Sequence, residues 1–222
     1  DGSIPRTGEL SPNLVGKALG MNVKEGFPVP ELLAPRPPKL CDGCPHIDSY
    51  TALNEAMKSY GEYKVFADIG CYTLGALPPL KAIYTTVDMG ASITMAKGAA
   101  EADLRPTVAV IGDSTFTHSG MTGLLDCVVD NVPVTVMILD NGITGMTGSQ
   151  KSSATGRIES ICQGIGVDPE HIRVINPLPS KLEENIKVIQ QELEYQGVSV
   201  IIPRRECIVW ANKKRKMAKK AK

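Results

Sequence analysis

Two apolar runs, each broken at its carboxyl end by small polar residues, constrain this chain most strongly. Residues 108–111 (VAVI) break into Gly112-Asp113-Ser114, and residues 134–139 (VTVMIL) break into Asp140-Asn141-Gly142. Their length and β-branched content predict buried parallel strands, because strands covered on both faces read as unbroken apolar runs. Residues 119–129 between them carry a helical pattern, so the unit reads β-α-β. Loops at the carboxyl ends of adjacent parallel strands open into one crevice, where open α/β sheets take ligands. Asp113 and Asn141 are therefore expected side by side.

The two loops share a chemical logic. Gly112 lets the backbone turn and come close to a ligand. Ser114 and its successors stand where a helix begins, so free backbone N–H groups face a phosphate. Asp113 and Asn141 are hard oxygen ligands, suited to Mg2+ bridging two phosphates. Either tripeptide alone reads as an ordinary turn after a strand; the pair at this separation is more specific.

The same alternation continues on both sides. Residues 64–69 read as a strand ending in Gly70-Cys71-Tyr72, and Met89-Gly90-Ala91 leads into a small-residue helix over 92–102. Gly90 and Ala91 would let a cofactor ring approach, whereas Met89 reads at least as well as core. Residues 149–155 read as a mobile polar loop at the mouth of the site. A short helix at 158–164, a brief strand at Val174, a helix at 182–196 and a last buried strand at 198–202 complete the pattern. In the longer helix Leu182, Ile186, Ile189 and Leu193 share one face. The fold class is α/β, a doubly wound, mainly parallel sheet with helices on both faces.

The ends differ from this middle. Residues 1–40 form a proline-rich arm (Pro28, Pro30, Pro35, Pro37, Pro38) that reads as extended apart from a short helix at 10–19 after Ser11-Pro12. Its linker-like opening reads as a fragment or one piece of a larger polypeptide. Residues 41–211 form the main domain, and 212–222 a basic tail (Lys213, Lys214, Arg215, Lys216, Lys219, Lys220, Lys222) that reads as a solvated, disordered end.

Charge narrows the partners: 24 basic against 24 acidic residues give no field that would draw nucleic acid or a membrane surface. No run reaches the roughly 20 apolar residues of a bilayer span, and no signal peptide is visible. Six cysteines in such a chain argue for reduced thiols or metal ligands, and with these absences for a cytoplasmic protein. Cys41-Asp42-Gly43-Cys44-Pro45-His46 precedes a helical pattern at 49–59. Alone, this CxxC is a redox dithiol, half a zinc site or half an iron-sulfur site. With Cys71 and Cys207 it makes four thiols from three loops, two of which follow strands. Four thiolates suit a [4Fe-4S] cluster or a structural zinc, and composition does not choose. Cys127 and Cys162 read as small buried apolar residues. His171 reads as surface, and His118 as either a substrate or diphosphate contact or a helix-start hydrogen bond.

Gly112-Asp113-Ser114, 26 residues and then Asn141 resemble the thiamine diphosphate signature, with Ser114 in place of its usual third glycine. The fuller wording, GDSTF-x-HSGM and LDN-x-x-T-x-MTG with CDGCPH and DIGCYTLG upstream, is similar to the thiamine-binding domain of indolepyruvate ferredoxin oxidoreductase alpha subunits. The similarity runs from about residue 37 to 210. It implies oxidative decarboxylation of a 2-oxoacid to an acyl-CoA, with electrons passed to ferredoxin. It further implies thiamine diphosphate and Mg2+ held by Asp113, Asn141 and the carbonyl of Ile143, with Gly112, Ser114 and Thr115 around the phosphates. Gly90, Ala91, Thr144 and Met146 would border the cofactor, Met146 behind the thiazolium. Cys41, Cys44, Cys71 and Cys207 match the family's ligands to a [4Fe-4S] cluster, which favours the cluster over zinc. His46 and His118 become the catalytic candidates.

In such enzymes the glutamate that activates the aminopyrimidine lies on a separate domain, so the isolated chain is expected to be inactive. The implied partners are a pyrimidine-binding domain or subunit, a gamma-type subunit, ferredoxin, the 2-oxoacid and coenzyme A, in an oligomer. The family's ferredoxin-like run of cysteines is not found in the sequence, and Asp42 replaces a usual proline, which would lower a cluster's potential. A non-oxidative thiamine-dependent decarboxylase and a zinc-stabilised interaction module are the alternatives.

Overall fold

The structure is a computed structural model and describes residues 2–24, 26–28, 30–34, 38–61 and 64–220; Pro35, Pro37 and Lys222 lie outside the described residues. The chain divides into two compact units, Asp1–Pro37 and Pro38–Lys222. In the first, α1 (Pro12–Ala18) is capped by Ser11, whose hydroxyl accepts from Leu14 N at 3.2 Å, with proline in its first turn. The arm is less extended than expected. Asn13 Nδ2 donates to Lys24 O at 3.0 Å, and a Cβ on Gly16 would lie 2.6 Å from Val23 Cγ1, so the chain folds back on its helix.

The second unit runs α2 (Pro45–Met57), β1 (Val65–Ala67), β2 (Thr85–Thr86), α3 (Ala91–Glu101) and β3 (Thr107–Gly112). A single helical turn, α4 (Asp113–Thr115), a π-helical turn (Phe116–Gly120) and α5 (Met121–Val129) lead to β4 (Val134–Leu139). After a small hairpin, β5 (Ile143–Thr144) and β6 (Gln150–Lys151), come α6 (Ile158–Ile165), β7 (Ile172–Ile175), α7 (Leu182–Glu194), β8 (Ser199–Pro203) and α8 (Ile208–Lys220).

Six strands form one sheet in the order β2-β1-β3-β4-β8-β7, and every pairing in it is parallel. The apolar runs behave as expected. All six residues of β3 and all six of β4 are buried, because alternate side chains enter different cores. Val108, Val110, Met137 and Leu139 meet α2 and α7 on one face; Ala109, Ile111, Val136 and Ile138 meet α3, α5 and α6 on the other. Each fully buried Ile or Leu here stabilises the fold by about 1.5–3 kcal/mol. Cys127 and Cys162 are fully buried in the second core, as small apolar residues would be.

Local chemistry moves several boundaries. The helix expected at 49–59 starts at Pro45, which takes the first helical position after Cys44 as N-cap, with Asp48 in the first turn. The helix expected at 119–129 begins at Asp113 and passes through the π turn. Within the described residues the tail is solvated but helical instead of disordered: α8 carries it to Lys220, and residues 212–219 are exposed. Lys213 lies over the Trp210 ring at 5.4 Å and Lys214 pairs with Glu206, so the helix holds its own charges apart. No helix among the described residues is long and apolar enough to cross a membrane.

Candidate cofactor site

From β1 the chain steps outward to β2, while from β3 it steps the other way to β4. The carboxyl ends of β1 and β3 thus mark the switch point where such sheets open a crevice. A cavity of about 280 Å³ lies there, lined by Gly112, Asp113, Ser114 and Thr115 from β3's end, Asn141, Ile143, Thr144 and Met146 from β4's, and Cys71 and Tyr72 from β1's.

Asp113 and Asn141 come together on this wall. The Asp113 carboxylate accepts from Gly142 N at 3.1 Å, one residue from Asn141. It is 3 % exposed, and burial pushes its pKa up to about 6. The N–H groups of Ser114 and Gly142 and the Ser152 hydroxyl oppose that shift, and the neighbouring Asp140 carboxylate adds to it. Asn141 is buried; its Oδ1 accepts from Ile143 N at 3.0 Å and its Nδ2 lies 3.2 Å from His46 Nε2. Ser114 and Thr144 are joined hydroxyl to hydroxyl at 2.8 Å across the two loops.

The polar stretch 149–155, expected to be a mobile loop, is tied in. Gln150 and Lys151 pair with Thr144 and Ile143 in an antiparallel hairpin, and Ser152 N donates to Gly142 O at 3.2 Å. Ser152 is buried against Asp113, a contribution that its place in a polar stretch concealed.

The glycines have other reasons than a ligand. Gly112 has an extended backbone (φ −81°), and a Cβ there would meet Tyr72 Cε1 at 2.5 Å. It is needed because Tyr72 packs on it. Gly90 has φ +97°, and a Cβ would meet Ser119 Oγ at 2.4 Å, so what approaches Gly90 is the π turn. Neither Gly90 nor Ala91 lines the cavity, whereas Met89 does and is 41 % exposed, which overturns its reading as core. Met146 lines the cavity and is 65 % exposed.

Asp68 is the residue that sequence reasoning missed. It is fully buried at the end of β1, accepting from Tyr72 Oη, from Gly90 N at 3.0 Å and from Ser92 Oγ at 2.8 Å. It therefore ties the loop before α3 to the ring that packs on Gly112. Burial raises its pKa and these donors resist the rise. Its only sequence signal was an acidic residue in an apolar strand.

Of the histidines, His46 is buried on the cavity wall and burial pushes it down to about 4, so the ring is neutral. His118 is exposed on the π turn, its Nδ1 3.0 Å from Ser119 Oγ, and it does not line the cavity. His171 is half-buried instead of free on the surface, because it reaches Glu192 and stacks on Tyr195.

Cys41, Cys44, Cys71 and Cys207 line a second, smaller cavity of about 100 Å³. All four are free thiols, with Cys41 exposed and Cys44 buried. Burial pushes Cys44 up to about 11; the His46 backbone N–H opposes this, and the other three thiols add to it. Arg205 anchors the CxxC loop, donating to Asp48 at 2.5 Å, Pro177 O at 2.6 Å and Gly43 O at 3.2 Å. Among the described residues no group of three or more His, Cys, Asp or Glu side chains is gathered closely enough to grip a single metal ion.

Residues 68–202 match the family described as thiamine pyrophosphate enzyme, C-terminal TPP binding domain. The chain is similar to the indolepyruvate oxidoreductase subunit IorA of Archaeoglobus fulgidus, at 36 % identity over 92 % of this chain and 36 % of that protein. It is also similar to the IorA subunits of Pyrococcus horikoshii (35 %; 93 % of this chain, 37 % of that one) and Methanothermobacter marburgensis (34 %; 94 % and 36 %). It spans little more than a third of the length of these relatives. Among solved structures, 2-oxoglutarate:ferredoxin oxidoreductase from Magnetococcus marinus, with 2-oxoglutarate, coenzyme A and succinyl-CoA bound, shares the fold. The match has TM-score 0.62 and 18 % identity over 78 % of this chain and 66 % of that chain.

Proposed function

This chain belongs to the thiamine pyrophosphate enzyme family, whose C-terminal TPP-binding domain it carries, and from that premise we propose that it is the part of a 2-oxoacid:ferredoxin oxidoreductase that holds the diphosphate and Mg2+. The substrate in this reading is indolepyruvate or another aryl pyruvate, after the names of the relatives. One 2-oxoacid and one coenzyme A yield an acyl-CoA, carbon dioxide and a proton, while two electrons leave singly to ferredoxin. Bound thiamine diphosphate supplies the electron sink for breaking the bond to the carboxylate carbon.

The observation that carries this reading is a buried carboxylate on a cavity wall whose partners are neutral donors: Asp113, with Gly142 N–H, Ser114 N–H and the Ser152 hydroxyl. Such a group lacks a countercharge, and a divalent ion supplies one. Asp113, Asn141 Oδ1 and the Ile143 carbonyl would hold that ion. Gly112, Ser114 and Thr115 would lie around the phosphates, and Thr144 fixes the Ser114 hydroxyl. Met146 stands behind the thiazolium in this assignment, whereas Gly90 and Ala91, which do not line the cavity, act on the rings only by shaping the loop that carries Met89. His118, exposed on the π turn, meets the 2-oxoacid once a complementary domain covers that face.

Cys41, Cys44, Cys71 and Cys207 hold a [4Fe-4S] cluster in the same proposal. The four thiols border one cavity of about 100 Å³, which suits four thiolate ligands to a single group, and the resemblance to the family's cluster ligands favours iron-sulfur over zinc. Six free cysteines fit a reducing, cytoplasmic setting. The glutamate for the aminopyrimidine comes from a pyrimidine-binding domain or subunit, in an oligomer with a gamma-type subunit. In this scheme residues 1–40 are an arm, 41–211 the cofactor domain and 212–222 a basic extension.

Calorimetry with thiamine diphosphate and Mg2+ tests the cofactor assignment: the parent binds and Asp113→Ala does not, and equal binding by both would falsify it. Anaerobic purification followed by iron, sulfide and zinc analysis tests the cluster. Zinc without sulfide would support the interaction module, and thiamine binding without iron a non-oxidative decarboxylase.

A further inference from the structure

His46, Cys71, Asn141 and Gly145 border both the cofactor cavity and the thiol cavity, so the two share a wall. His46 holds on to each side of it. Its backbone N–H donates to the Cys44 sulfur, and its ring Nε2 lies 3.2 Å from Asn141 Nδ2.

The direction of that second bond follows from a third atom. Asn141 Oδ1 accepts from Ile143 N at 3.0 Å, which fixes the oxygen on the Ile143 side and the NH2 on the histidine side. An amide NH2 only donates, so Nε2 must accept and the ring proton must sit on Nδ1. An imidazolium, or the other tautomer, would set two N–H donors face to face.

We infer that His46 is a positioning residue: its Nε2 is a fixed acceptor that keeps the Asn141 amide turned with its oxygen toward the cation, and it does not act as an acid or base. This rests on the assignment of Asn141 as a metal ligand. With an apolar side chain at position 46 the amide loses one anchor and presents NH2 to the cation part of the time. Groups that orient a ligand in this way are worth 10- to 100-fold in metal affinity as an order of magnitude, about the effect expected here. Glutamine at position 46 keeps an acceptor near the place of Nε2.

Two measurements on the full chain decide the matter. Long-range 1H–15N correlation spectra of the metal-free chain report the tautomer directly, with an unprotonated Nε2 expected for His46 and a protonated Nε2 overturning the inference. Mn2+ titration by electron paramagnetic resonance, with thiamine diphosphate present, compares the parent, His46→Leu and His46→Gln. His46→Leu is expected to weaken Mn2+ binding about 10- to 100-fold and His46→Gln to restore most of it, with iron content and melting temperature close to the parent's. Equal affinities for all three proteins overturn the role of His46 and leave the cofactor site standing. A parent that binds no Mn2+ overturns the cofactor reading and this inference with it. Should His46→Leu fail to fold, the tautomer in the parent still decides whether Nε2 is the acceptor.

Discussion

Glu192 and Asp113 are carboxylates shut away at opposite edges of the same sheet, and their surroundings differ in kind. Glu192, 2 % exposed at the amino edge, receives the His171 ring at 2.8 Å and the Arg173 guanidinium at 3.3 Å, and Tyr195 stacks behind the imidazole at 3.4 Å. Asp113, at the carboxyl edge, has amide and hydroxyl donors and a carboxylate neighbour. A buried acid whose countercharge is built into the chain serves the fold. One left with neutral donors beside a cavity is prepared for a charge from outside. Asp68 is the instructive third case: its donors are neutral too, yet it is sealed in, and it ties loops together.

The two acids should part most sharply on ligand affinity. Asp113→Ala should weaken Mg2+-thiamine diphosphate binding by well over the roughly 100-fold typical of supporting groups, whereas Glu192→Ala should leave it within about threefold, both read by calorimetry. Next comes stability: Glu192→Ala is expected to cost about 1–3 kcal/mol in urea unfolding, since it empties a buried position and takes away the partner of the half-buried His171 ring, while the more exposed Arg173 can turn to water.

A smaller effect carries the opposite sign. Asp113 has a folded-state pKa raised from 3.8 to about 6. The protonated form is thus favoured on folding, and this contribution is full below pH 3.8 and lost as pH rises through about 6. The cation-free parent should therefore lose about 2 kcal/mol of stability between pH 4 and pH 8 through this group, and Asp113→Asn should abolish that loss. Urea titrations at several pH values without divalent ions measure it. A parent no more sensitive to pH than Asp113→Asn would erase the contrast with Glu192. The smallest effect belongs to Asp42, which is 93 % exposed and paired with Lys39 at 3.2 Å. Asp42→Pro should shift the potential of the proposed cluster by the equivalent of less than about 1 kcal/mol per electron in a redox titration, because water screens a surface pair.

What the sequence made legible follows from what is local. Unbroken apolar runs announced β3 and β4, and parallel neighbours with matching ends brought Asp113 beside Asn141. The alternation of strand and helix announced both cores. Hidden from that logic were contacts made at long range. Nothing in DIGCY says that Asp68 reaches Gly90 and Ser92, and nothing around Gly112 says that Tyr72 claims the space of its missing side chain. Glu192 resembles any solvated helix acid until β7 and β8 cover it. Polar residues at 149–152 suggested freedom because short strands of mixed polarity lack a period to detect. The lysines of α8 suggested disorder because like charges repel, yet Trp210 and Glu206 take up two of them.

The β5–β6 hairpin separates two tasks along a few residues. Its base carries Asn141 and Ile143 and is pinned through Gly142 to Asp113 and Ser152, while its tip thrusts Met146 into the open. Side chains at the tip can change size or polarity without pulling on the pinned end. Natural drift or deliberate grafting at residues 146 and 147 therefore has a place in which to retune what rests against the cavity while the grip at its floor stays the same.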